Sequence, residues 1–154
     1  VRREIFEAFK GTEQYDHFRH VNTFGGNAAA CAVALKNLEI FERENLVDRS
    51  REMGEKLLEK LADLKDHPNV GDIRGKGLLL GIELVEDKET KEPAKVEKLS
   101  KVLAVCKEKG LLAGSNIDTV DGYNNVFALC PPLSITDDEL DFMVNTVKEA
   151  FAEI

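Results

Sequence analysis

The sequence lacks a basic stripe, a long apolar run, a paired set of cysteines and any internal repeat. Each absence removes a class of function. Acidic residues number 29 against 21 lysines and arginines, for a net charge of −8. Nucleic-acid binding is excluded as an expectation, because neutralising phosphates needs clustered Lys and Arg. No apolar stretch approaches the roughly 20 residues of a membrane span, and nothing reads as a signal peptide. The three cysteines, Cys31, Cys106 and Cys130, are odd in number and far apart. That argues against a disulfide framework and against a zinc site. It fits a reducing, cytoplasmic setting. Cys31 and Cys106 fall on apolar helix faces and Cys130 ends an apolar run, so all three are expected to be buried small hydrophobes.

What remains is an ordinary globular composition, 43% hydrophobic and 32% charged over 154 residues. A chain of this size is one domain by default, or part of a larger one, and hides about two-thirds of its unfolded surface. It opens at Val1, not Met, already inside the helix-like pattern "VRREIFEAF" with no cap before it. The expectation is a chain cut from a longer one.

Residues 1–9 read as a helix with Ile5, Phe6 and Phe9 on one side. A polar stretch, 10–26, is long for a structureless connection, and such loops are usually functional or disordered. Its aromatics Tyr15, Phe18 and Phe24 argue against disorder. Asn27 caps an Ala-rich helix to about Asn45. A second helix covers about 46–64, with Met53, Leu57, Leu61 and Leu64 at helical spacing. "VGDIRGKGLLLGIELV" (70–85) reads as two short strands joined through "GKG", and Gly81 marks a close backbone approach. A helix over about 94–109 carries Val96, Leu99, Leu103 and Cys106 on one stripe, with Gly110 as its stop. "LLAG" and "NVFALC" are short strands. Thr136 and Glu139 form a capping box before a last helix that buries Leu140, Met143, Val147 and Phe151. The fold class is α/β, with about four short strands packed on one side by helices.

One string carries chemistry: Thr23-Phe24-Gly25-Gly26-Asn27, directly before a helix. Glycines let backbone approach a ligand. A helix N-terminus offers unpaired N–H groups and a positive dipole end, and the Thr hydroxyl offers one more donor. Alone, the string allows a phosphate or carboxylate site, or simply a helix entry capped by Asn27. It is neither a P-loop nor a G-x-G-x-x-G dinucleotide fingerprint.

The longer string "HVNTFGGNAAACAVAL" resembles the segment just after the catalytic lysine of class III (ω-type) aminotransferases, fold-type I pyridoxal-phosphate enzymes. "VGDIRGKGLLLGIELVEDKETKEP", "KGLLAGSNIDTVDGYNNVFALCPPLSIT" and "DDELDFMVNTVKEAFAEI" resemble the hairpin, later strands and final helix of the same family, in the same order. The resemblance implies the C-terminal portion of the fold-type I fold. Residues 1–45 would end the large cofactor domain and supply the interdomain helix, and 46–154 would be the small domain. It implies pyridoxal 5'-phosphate as cofactor, small-molecule amine and oxo-acid substrates, and a homodimer. Thr23 would bind the phosphate of the partner subunit's cofactor and Phe24 would line the same region. His20 would orient the cofactor loop.

The resemblance also implies what is missing. The family's Schiff-base lysine, and the Asp that pairs with the pyridine nitrogen, should precede Val1. No catalytic residue is therefore assigned, and the chain alone should be inactive. Lys76 in "RGKG" is matched to a hairpin residue, not to that lysine. Some members carry an Arg three residues before the Pro-Pro, where Ala128 stands here. Others carry a mobile Arg after the "GLL" strand, where this chain has "LLAGSN". With both carboxylate anchors absent, the donor is read as an amine or ω-amino acid. His17 and His20 lack completing ligands, so no metal site is expected. His67 is expected at the surface. Arg74 is expected either at the active-site mouth or as a hairpin stabiliser. A racemase, decarboxylase or phospho-lyase on the same scaffold, or a free-standing α/β interaction module, are the alternatives.

Overall fold

The computed structural model describes residues 1–13, 22–116 and 120–154. The chain divides into two compact units, Val1–Glu39 and Ile40–Ile154. No helix among the described residues is long and apolar enough to cross a membrane.

The first unit holds α1 (Arg3–Glu7) and most of α2 (Ala28–Arg43). Lys10 Nζ lies 3.0 Å from Glu7 and 4.6 Å above the Phe6 ring. No side chain described in this unit is buried. Cys31 is therefore exposed, against expectation. Its helical position is apolar, but α2 is uncovered around its whole circumference over these residues.

The second unit is built on a four-stranded antiparallel sheet in the order β1-β2-β4-β3. Its strands are β1 (Val70–Lys76), β2 (Leu79–Leu84), β3 (Gly114–Ser115) and β4 (Val126–Leu129). The helices are α3 (Leu46–Lys60), α4 (Val96–Glu108) and α5 (Asp137–Phe151), with a 3₁₀ turn at Ala62–Asp66. Strand residues alternate in and out. Leu80, Ile82 and Leu84 of β2 are buried, as are Phe127 and Leu129 of β4. They join Leu57 and Leu61, Val102 and Cys106, and Leu140, Val147 and Phe151 in one core. Phe127 and Phe151 meet edge to face at 5.8 Å. The other sheet face carries the opposite parity, from Asp72 to Ala128. This is the expected α/β class, with about four short strands and helices on one side.

Several local features follow from sequence. Thr136 Oγ1 accepts from the Glu139 N–H at 3.3 Å, and the Glu139 carboxylate accepts from the Thr136 N–H at 2.8 Å, completing the capping box. Gly110, at φ +90°, closes α4. Its N–H bonds to the Lys107 carbonyl at 3.0 Å and the Leu111 N–H bonds to the Cys106 carbonyl at 2.8 Å, which is the Schellman pattern. That closure also explains why the strand expected over "LLAG" is shorter. The Leu111 amide is spent on the helix, and pairing starts only at Gly114.

Other expectations shift. α3 ends at Lys60 and the chain tightens into the 3₁₀ turn, although Leu61 and Leu64 are buried as expected. On α4 the buried stripe is Leu99, Val102 and Cys106, while Val96 is half exposed because it opens the helix. Cys106 is buried, and burial pushes its thiol pKa up. Cys130 is exposed, because strand pairing stops at Leu129 before Pro131-Pro132. His67 is half-buried, not at the surface. It stands edge-on to Phe151 at 6.1 Å, and desolvation lowers its pKa.

The close approach assigned to Gly81 lies elsewhere. A Cβ at Gly81 would meet the Val126 side chain at 3.2 Å, whereas one at Gly54 would sit 2.1 Å from the Gly77 carbonyl oxygen. Helix α3 thus rests on the β1–β2 turn backbone to backbone, and Ser50 Oγ accepts from the Leu78 N–H at 3.3 Å. Gly54→Ala should cost about 3 kcal/mol or more, since two backbones must separate. Chemical denaturation of the chain measures this, and an Ala104→Gly control on α4 should cost only about 1 kcal/mol.

Three ion pairs tie the α3 region to α5: Lys56–Asp137 and Lys148–Asp63 at 2.7 Å, and Lys60–Asp141 at 2.8 Å. Hydrogen bonds from the lysines hold Asp137 and Asp63 below the usual carboxylate range. Their contribution is complete above the unfolded carboxyl pKa, about 3.9 for Asp, and is lost as pH falls through the folded values. Lys60 and Lys109 are raised by Asp141 and Glu149 respectively. Their contribution is complete below the unfolded lysine pKa and is lost as pH rises past the folded one. Urea midpoints should fall at both extremes, and the acid loss should begin just below the unfolded histidine pKa of about 6.5, because burial lowers the pKa of His67. Asp137→Asn should flatten part of the acid limb only.

Candidate functional site

The Thr23–Asn27 segment forms a tight turn feeding α2. The Gly25 N–H bonds back to the Asn22 carbonyl at 2.9 Å and the Asn27 N–H to the Phe24 carbonyl at 3.2 Å. Gly26 takes φ +81°, in the left-handed region that favours glycine. Asn27 caps the helix as its position suggests: its Oδ1 accepts from the Ala30 N–H at 3.0 Å, and its carbonyl accepts from the Cys31 N–H at 2.9 Å. The Ala28 and Ala29 amides and the Thr23 hydroxyl have no partner among the described residues. Thr23 is exposed and Phe24 is 83% exposed. Two open amides at a positive helix end, and a free hydroxyl on the glycine turn that precedes it, are donors of the chemistry a phosphate needs. Tyr15, His17, Phe18 and His20 lie outside the described residues, as does the middle of the 116–125 loop.

In the second unit, the uncovered sheet face carries a row set by strand register. Arg74 of β1 stands opposite Gly81 of β2, Gly81 opposite Ala128 of β4, and Ala128 opposite Gly114 of β3. Arg74 Nη1 lies 3.0 Å from Asp72 Oδ2 and 2.6 Å from Glu83 Oε2. Both carboxylates raise the guanidinium pKa, Glu83 first. Of the two expectations for Arg74, the structure places it in the hairpin-stabilising contact. Lys76 ends β1 at the hairpin. It borders a cleft of about 620 Å³ whose walls include Phe41, Leu46, Leu58 and Leu133. Among the described residues, no group of three or more His, Cys, Asp and Glu could hold a metal ion.

Some positioning residues gave no signal in the sequence. Arg49 Nε donates to the Leu133 carbonyl at 3.2 Å, and its Nη2 donates to the Ile135 carbonyl, fixing the segment after Pro131-Pro132. Asn125 is buried and its Nδ2 donates to the Leu84 carbonyl at 2.6 Å, extending β4 pairing by a side chain. The Arg49 contacts span 84 and 86 residues and the Asn125 contact 41. No local pattern encodes such distances.

Comparison with known proteins gives the family of the chain. The model of the aminotransferase class-III family matches residues 1–151. The chain belongs to that family, whose members depend in general on pyridoxal phosphate. It is 62% identical over all 154 residues to the uncharacterized aminotransferase YhxA of Bacillus subtilis (strain 168), covering 34% of that protein. It is 40% identical over 153 residues to the taurine–pyruvate aminotransferase of Rhodobacter capsulatus, covering 97% of this chain and 33% of that one. The crystal structure of a Bacillus anthracis aminotransferase superposes with a TM-score of 0.88 at 59% identity, over 100% of this chain and 34% of that chain. The chain thus spans about a third of the length of the relatives it matches.

The Asn27 cap generates a direct expectation. Asn27→Ala should cost about 1 kcal/mol of local helix stability. Because α2 has no buried face here, the loss should appear as faster amide exchange at Ala30 and Cys31, with no change at Leu99 in α4.

Proposed function

We propose that this chain is the C-terminal part of a pyridoxal-phosphate-dependent aminotransferase that moves an amino group from an amine or ω-amino acid to an oxo-acid and works as a homodimer. One observation carries the reading: the family match runs through 1–151 without leaving out the Thr23 turn, the hairpin or the last helix. Residues 1–45 complete the large cofactor domain and 46–154 form the small domain. A cytoplasmic setting suits three cysteines that stand as free thiols.

When bound, the cofactor supplies the electron sink for removing a proton from the amine-bearing carbon. The roles of this chain are binding and positioning. The Thr23 hydroxyl donates to the phosphate of the partner's cofactor, and the open Ala28 and Ala29 amides place a positive dipole end beside it. Asn27 prepares that end by spending its own oxygen on Ala30, leaving the first two amides free. Phe24, exposed on the turn, lines the cofactor region. No residue here is assigned the proton-transfer role, because no lysine of this chain stands in the Schiff-base position. The chain alone is inactive.

The substrate class rests on the sheet face. Ala128 offers no charge where related enzymes carry an arginine, so a donor lacking an α-carboxylate fits. The name of the Rhodobacter capsulatus relative pairs an ω-amino donor, taurine, with an oxo-acid acceptor. In the full-length dimer, Thr23→Ala should raise the cofactor dissociation constant about tenfold, from the loss of one hydrogen bond to a charged group. Thr23→Ser should restore it. Cofactor absorbance retained after gel filtration measures both. Equal retention in all three proteins would contradict the assignment.

A further inference from the structure

Arg74 is held in an unusual way for a surface arginine. Asp72 and Glu83 both take their hydrogen bond from the same atom, Nη1. Nε and Nη2 have no partner among the described residues. That edge of the guanidinium is the fork geometry that grips a carboxylate with two parallel N–H···O bonds. The two resident carboxylates thus orient the group without occupying its bidentate edge.

The surroundings suit a small anion. Arg74, Lys76, Gly81 and Ala128 border one shallow cleft of about 420 Å³ on the uncovered sheet face. Arg74 and Ala128 stand two strands apart in the same row, about 10 Å at the usual strand spacing. The residue between them is Gly81, so no side chain blocks the guanidinium from the space over Ala128. Lys76 forms no ion pair among the described residues. With Asp72 and Glu83 it balances the four charges on this face to zero, so an approaching anion meets no net repulsion.

We propose that Arg74, oriented by Asp72 and Glu83, binds the carboxylate of the oxo-acid acceptor through its Nε–Nη2 edge. The proposal rests on the aminotransferase reading above. It answers a problem that reading creates: the acceptor carries a carboxylate, while the position of the usual arginine holds Ala128. The same arrangement tolerates a donor without a carboxylate. Arg74 then remains paired through Nη1 with Asp72 and Glu83 and half exposed to solvent.

Two measurements on the full-length cofactor-loaded enzyme test it. The first needs no turnover. Phenylglyoxal modification of arginines is mapped by mass spectrometry with and without propionate, a carboxylate that cannot react. Propionate should slow modification of Arg74 several-fold and leave Arg51, whose side chain is 60% exposed, unaffected. The second follows the two half-reactions by cofactor absorbance, with pyruvate as acceptor and isopropylamine as donor. Arg74→Gln should raise the saturation constant for pyruvate about tenfold more than that for isopropylamine, as expected for a lost charge-assisted contact. Arg74→Lys, which keeps the charge and loses the fork, should fall between. Asp72→Asn should tighten pyruvate binding. A purely structural arginine would instead shift both constants alike, and Asp72→Asn would weaken both. That result, or an absence of propionate protection, overturns the proposal. Failure of the wild-type enzyme to react with any amine would overturn the aminotransferase reading, and propionate protection would still decide the role of Arg74.

Discussion

The second unit depends on one constraint: a four-stranded sheet that is buried on only one of its faces. Period-two alternation sends Leu80, Ile82, Leu84, Phe127 and Leu129 into the core with α3, α4 and α5. The same alternation obliges Arg74, Gly81, Ala128 and Glu83 to share the other face. A one-residue slip in β2 or β4 would exchange the two sets. Core packing therefore fixes which residues are offered to a ligand, and no separate device is needed to place them.

That face is framed by features that limit its movement. Gly54 against Gly77 joins α3 to the hairpin turn with no side chain between the backbones. Arg49 holds the segment after the paired prolines by two carbonyls. Ion pairs from the α3 region to α5 add little individually, since all are solvent-exposed, and Phe151 is held instead by the core, edge to face with Phe127. The chain supplies a rigid wall and a charged row. The proton-transferring lysine belongs, on the reading proposed, to a part of the protein outside this sequence.

Much of this was legible from residues alone. Met53, Leu57, Leu61 and Leu64 were readable because helical spacing and burial coincide. The capping box at Thr136 and the stop at Gly110 were readable because their chemistry is local. Failures came where tertiary context decides. Cys31 was assigned to a core from its apolar neighbours, yet periodicity cannot say whether a face is covered. The approach of two backbones was placed at Gly81 and occurs at Gly54, because glycine signals closeness without naming the neighbour. Arg74 was left between two roles, since "DIRGKG" does not reveal that Glu83 lies diagonally across the hairpin. The Thr23 turn was legible as a donor set, but its ligand came from family resemblance and not from spacing.

The central claim is that Thr23 and the open helix end behind it grip the phosphate of a cofactor held by the opposite protomer. The most direct measurement is a crystal structure of the full-length, cofactor-loaded protein, read at the distance from Thr23 Oγ1 to the nearest phosphate oxygen. The account predicts a hydrogen bond of about 2.7–2.8 Å to the phosphate bound in the other protomer. A separation well beyond bonding reach in every protomer pair, with the Ala28 and Ala29 amides facing solvent, would contradict it.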